Sequence, residues 1–137
     1  MRVVRFSAGP GIPVARSFHF LVYGDPLGQN AVYKRGRGRR FYMTDQGKTW
    51  KNRVAIAATG ALPDGWAVDG PKEVHLVHYF SSLSRDIDGP VKLELDALER
   101  IAYLRDSQVV DLSVKKRIDK QNPRAEITVW QAWPPDL

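Results

Sequence analysis

Cysteine is missing from all 137 residues, which removes disulfides, zinc–thiolate sites and thiol nucleophiles and fits a reducing compartment. Any metal or catalytic chemistry must then use oxygen or nitrogen donors. Long apolar runs are missing too. Residues 1 to 16 are broken by Gly9, Pro10, Gly11 and Pro13, so they lack the continuous apolar core of a signal peptide or membrane span. These absences point to an intracellular protein with no membrane partner. Acidic residues are scarce in the first half: residues 1 to 68 hold eleven Lys/Arg against three Asp/Glu, whereas residues 69 to 137 hold ten against twelve. The chain as a whole carries +6, which suggests an acidic partner, and a separate acidic group with other work to do.

A hydrophobic content of 43% and a charged content of 26% are ordinary for a folded protein, and the length suits one domain. Phe18–Tyr23 reads as a strand closed by the turn signal Gly24-Asp25-Pro26. The chain up to Thr44 reads as loop, and within it Lys34, Arg35, Arg37, Arg39 and Arg40 alternate with Gly36 and Gly38. Glycines let the backbone approach a surface while guanidinium groups fork onto phosphate, so these cations are candidate nucleic-acid contacts. Thr44 or Asp45 can cap a helix to about Thr59, with Trp50, Val54, Ala57 and Ala58 on its apolar side.

Val74–Phe80 reads as a central strand on which His75 and His78 fall on opposite faces, which argues against a shared metal. Pro90 suits the first turn of a helix running to about Tyr103, with Gly89 as its cap. Val91, Leu95, Leu98 and Ala102 repeat at helical spacing, leaving Lys92, Asp96 and Glu99 on another flank. Two last strands, Val109–Val114 and Ala125–Trp130, read as partners joined by a basic hairpin. The expected architecture is α+β: a small mixed sheet with two helices packed on one face, in a single domain.

The acids stand together in sequence. Arg85-Asp86-Ile87-Asp88-Gly89-Pro90-Val91-Lys92 is followed by Asp106-Ser107-Gln108-Val109-Val110-Asp111. If Asp86 and Asp88 leave the end of an extended segment, their i, i+2 spacing aims both carboxylates the same way, and a hard divalent cation can bridge them. Asp106 supplies a third acid. Lys92 lies within reach and can neutralise charge developing on a phosphoryl group or orient the attacking water; it also sits four residues before Asp96, a natural helical ion pair. Oxygen ligands with retained water suit Mg2+, with Mn2+ able to substitute. The alternative for Asp86 and Asp88 is plain turn and cap chemistry.

The ordered pattern, Arg-Asp-x-Asp, then Lys92, then Asp96-Ala97-Leu98, then Asp106-x-Gln-Val-Val-Asp111, resembles the RusA family of Holliday junction resolvases. The resemblance runs from Arg85 to about Val114 and extends less closely over Phe18 to Ala58, through Pro26-Leu27-Gly28-Gln29-Asn30 and the Arg/Gly-rich loop. It implies a RusA-like endonuclease domain over 18–133, between an extension (1–17) without an assigned role and a tail (134–137). It implies Asp86, Asp88 and Asp106 as metal-binding acids, Lys92 as the catalytic lysine, Arg85 as a DNA contact, and Asp96 and Asp111 in support. The implied activity is magnesium-dependent hydrolysis of two opposed strands at a four-way DNA junction, in recombination and repair, in a bacterial cytoplasm and of host or phage origin. Paired cuts at a junction with approximate two-fold symmetry call for two related active sites, which a homodimer provides. The remaining alternatives are a phage nuclease for forks and other branched DNA, or a nucleic-acid-binding module without catalysis. Two departures stand out: many relatives carry asparagine where this chain has Gly89, and Arg105 stands where an acid is common.

Overall fold

The computed structural model describes residues 14–27, 33–36, 38 and 41–132. Its main element is a four-stranded sheet in the order β1 (Ser17–Tyr23), β6 (Arg124–Gln131), β4 (Lys72–Phe80), β5 (Val109–Ile118). β6 runs antiparallel to both β1 and β4, whereas β4 and β5 are parallel. A parallel pair needs a crossover rather than a tight turn. Here the crossover carries the helix α2 (Val91–Leu98) and both acidic segments. The helix α1 (Asp45–Ala61) follows a separate two-stranded ribbon of β2 (Tyr33–Arg35) and β3 (Phe41–Met43).

Alternation along the strands selects the covered face. Phe18, Phe20 and Val22 of β1, Val74 and Leu76 of β4, and Ala125, Ile127 and Val129 of β6 are buried in one cluster with Trp50, Val54 and Ala58 of α1 and Leu93, Ala97 and Leu98 of α2. Both helices therefore lie on one face, and the expected α+β architecture is what the chain adopts. Thr44 caps α1, its hydroxyl accepting from Gly47 N at 3.1 Å. No helix among the described residues is long and apolar enough to cross a membrane.

Four local expectations need correction. The final two strands do not form a hairpin: β6 inserts between β1 and β4 while β5 lies on the far side of β4. The region before Thr44 is not all loop, since β2 and β3 pair there. The second helix ends at Leu98 instead of Tyr103, and Arg100 turns the chain with φ of 67°. Tertiary contacts take over from the helix there: Tyr103 Oη donates to Leu95 O at 2.6 Å and Trp66 Nε1 to Ala102 O at 2.9 Å. Finally, the stretch from Asp86 to Pro90 is a run of turns rather than the end of a strand, closed by Gly89 N to Asp86 O and Val91 N to Asp88 O.

Lys72 is fully buried at the start of β4, with Nζ donating to Asp69 O (2.6 Å) and Gly70 O (3.1 Å) and lying 5.8 Å from the Trp66 ring centre. Burial lowers its pKa from 10.5 to about 8. Between those two values the unfolded chain holds a proton that the folded chain has released, so raising pH across the window stabilises the native state. Relative to Lys72→Met, the wild type should gain up to about 3 kcal/mol between pH 8 and 10.5, measured by urea unfolding. A stability difference that stays flat with pH would mean that the two carbonyls keep the ammonium charged.

Candidate active site

The acidic loop 81–90 is held from below by its own backbone. Lys116 of β5 donates to Leu83 O at 2.7 Å and also to Arg85 O. His78 of β4 takes the next alternate carbonyl, with Nδ1 3.2 Å from Ile87 O. Three alternate carbonyls thus point toward the sheet, and Asp86 and Asp88 are left exposed. Asp25 ties the entrance of the loop to the end of β1. Its carboxylate accepts from Ser81 N (3.0 Å), Ser81 Oγ (2.6 Å) and Arg85 Nη2 (2.8 Å).

Lys92, on the first turn of α2, projects to the adjoining acids. Its ammonium donates to Asp96 Oδ1 at 2.8 Å and Asp106 Oδ2 at 3.0 Å. The hydrogen bonds to Asp96 and then Asp106 raise its pKa above the ordinary lysine value, so it remains a cation through any usable pH. It cannot shuttle protons; it is a fixed positive charge. Asp96, Glu99 and Asp106 present carboxylate oxygens that all lie within 4.8 Å of one another. Three carboxylates against one ammonium leave the cluster negative with only oxygen donors, a composition that suits Mg2+ or Mn2+.

The turn that carries Asp106 is fixed by Gln108. Gln108 Oε1 accepts from Leu104 N (2.8 Å) and Arg105 N (3.0 Å), while Nε2 donates to Val68 O (2.9 Å) and Gly70 O (2.8 Å). One side chain therefore joins the Asp106 turn to the approach to β4.

The sequence that builds this site is similar to known proteins. The family profile of Endodeoxyribonuclease RusA matches residues 24–130, most of the chain. The chain belongs to the RusA family. A curated relative, "Uncharacterized protein YqaN" of Bacillus subtilis (strain 168), is 30% identical over an alignment that covers 80% of this chain and 93% of the relative. RusA resolvases act on branched DNA junctions and generally depend on divalent metal.

Of the residues expected from the RusA pattern, Lys92, Asp96 and Asp106 meet directly. Asp86 and Asp88 sit on the clamped loop and are not part of the compact Asp96–Glu99–Asp106 group. Arg85 is engaged with Asp25 and the Pro26 carbonyl. Asp111 is exposed on β5 opposite Glu73, and its carboxylate makes no hydrogen bond or ion pair among the described residues. Lys34 and Arg35 belong to β2, but their side chains, like Arg37, Arg39 and Arg40 altogether, lie outside the described residues. Sequence reasoning missed three contributors. Glu99 was visible only as a residue on the flank shared by Lys92 and Asp96. Asp25 read as a turn residue, and Gln108 lay inside the motif without a role.

Proposed function

We propose that this chain is a Mg2+-dependent endodeoxyribonuclease that resolves four-way DNA junctions by paired, symmetric phosphodiester hydrolysis as a homodimer, in bacterial recombination and repair. The observation that carries this reading is the bridge of Lys92 to Asp96 and Asp106 within a group of oxygen donors, beside the loop bearing Asp86 and Asp88. The catalytic domain is read as residues 18–133, flanked by 1–17 and 134–137.

In this reading Asp86, Asp88 and Asp106 hold the cation, with Asp96 and Glu99 adjoining. A divalent ion bound there would polarise a phosphoryl oxygen and make bound water more acidic. Water oxygen bonds to phosphorus as the bond to the 3′ oxygen breaks, leaving a 5′-phosphate and a 3′-hydroxyl. Lys92, permanently charged, stabilises the negative charge that builds on the phosphoryl oxygens. Asp96 and Asp106 hold its ammonium in one place, so no reorganisation is needed as that charge develops. Arg85, Lys34, Arg35, Arg37, Arg39 and Arg40 supply phosphate contacts, and their release of counterions favours binding at low salt.

The test is cleavage of an end-labelled four-way junction, a fork and a linear duplex, each with Mg2+ and with chelator. Symmetric paired cuts in the junction, only with Mg2+, are expected. Equal cutting of the fork would make the enzyme a general branched-DNA nuclease, and tight binding with no cutting in Mg2+ or Mn2+ would make it a binding module.

A further inference from the structure

Among the described residues, a fully buried contact between two titratable side chains lies beneath the acidic loop, and the reaction described above gives it no part. His78 Nε2 is 2.7 Å from Glu94 Oε1, and both side chains are wholly shielded from solvent. The opposite ring nitrogen, Nδ1, faces the carbonyl of Ile87 at 3.2 Å. A carbonyl only accepts, so Nδ1 must carry a hydrogen. Nε2 and Glu94 then share a proton between them, whichever of the two holds it. The ring is thus fixed at both ends, by helix α2 on one side and by the loop on the other.

Such a pair is a poor way to gain stability. Well-packed apolar residues of similar volume commonly do as well or better, because a buried pair must give up its hydration. The indole N–H of Trp50, from helix α1, is the remaining polar group beside the Glu94 carboxylate. What the pair does accomplish is geometric. Ile87 stands between Asp86 and Asp88, and fixing its carbonyl fixes the peptide plane from which Asp88 departs.

We propose that His78, oriented by Glu94, is a positioning residue that locks the Ile87–Asp88 peptide and thereby keeps the Asp86 and Asp88 carboxylates turned toward one cation. The inference rests on the reading of those two acids as metal ligands. It separates His78 from a merely structural core residue because only one of its two nitrogens faces the loop.

Amide side chains divide those nitrogens. Asparagine places its amide nitrogen where Nδ1 lies and keeps the donor to Ile87 O. Glutamine places its own where Nε2 lies and keeps the bond to Glu94. Calorimetric titration with Mn2+ should show His78→Gln losing roughly 10-fold or more in affinity, the scale of losing a partner behind a metal ligand, while His78→Asn stays within about threefold of wild type. Equal affinities in wild type and His78→Gln, or losses in the two variants that merely follow their thermal midpoints, would overturn the proposal. In wild type itself, the His78 Nδ1–H resonance should move as Mg2+ is added. A resonance that stays still while the Asp88 amide moves would overturn it as well, even if neither variant folds. Asp88→Asn run alongside separates the two levels: if it binds Mn2+ as wild type does, the ligand assignment itself has failed.

Discussion

Asp88→Asn should reduce Mg2+-dependent junction cleavage by more than about 100-fold while leaving junction affinity, measured without divalent metal, within about threefold of wild type. The substitution keeps the shape of the side chain and removes only its charge. The backbone carbonyl of Asp88 still accepts from Val91 N, so the entry to α2 is unaffected. The side chain is exposed, and an exposed substitution of this kind changes stability by about 0.5 kcal/mol or less. Loss of a group behind a metal ligand already costs about 10–100-fold in affinity or activity, and loss of a ligand should exceed that. Single-turnover cleavage of a labelled junction measures the effect. Glu99→Gln belongs beside it, because Glu99 rather than Asp88 sits in the compact group with Asp96 and Asp106. Full cleavage by Asp88→Asn, with cleavage lost in Glu99→Gln, would move the metal to that group.

Lys92→Met should cut the cleavage rate by about 100- to 1,000-fold, the size of effect seen when one preorganised donor to a developing negative charge is removed. Its effect on stability should be small. The Lys92 side chain is 64% exposed, and ion pairs so open to solvent contribute about 1 kcal/mol or less. A large kinetic loss with a small shift in unfolding midpoint is therefore the expected signature, and it separates a catalytic charge from a helical salt bridge. Because Asp96 and Asp106 hold Lys92 in its charged form, the pH profiles of variant and wild type should run parallel between pH 6 and 9. A rate within a fewfold of wild type would leave Lys92 with only the ion pairs.

The sequence made the layers of this fold legible and its connections much less so. Alternation along Val74–Phe80 and the helical spacing of Trp50, Val54 and Ala58 identify core faces because burial imposes those periods directly. Sheet order carries no such signature. The basic stretch through Lys115–Arg117 and Lys120–Arg124 reads as a hairpin, yet the chain leads β6 past β4 to lie between β4 and β1, guided by pairings such as Leu76 with Ile127 and Phe20 with Ile127. The apolar spacing beyond Leu98 looked like more helix because Ile101, Ala102 and Tyr103 are indeed core or near-core residues, though in a turn. The Lys92–Asp96 contact was readable from helical spacing alone. The His78–Glu94 pair was not, since it joins a strand and a helix, and Glu94 stands among apolar neighbours where a carboxylate would not be expected to be enclosed.

The grip of Lys116 and His78 on alternate carbonyls has an evolutionary consequence. Every amino acid offers a main-chain carbonyl, so a loop held in this manner does not depend on which side chains it bears at Leu83 or Ile87. Those positions are free to drift while the acids keep their stations. The outer surface of the loop can thereby change while its main chain, and with it the placing of Asp86 and Asp88, stays as it is.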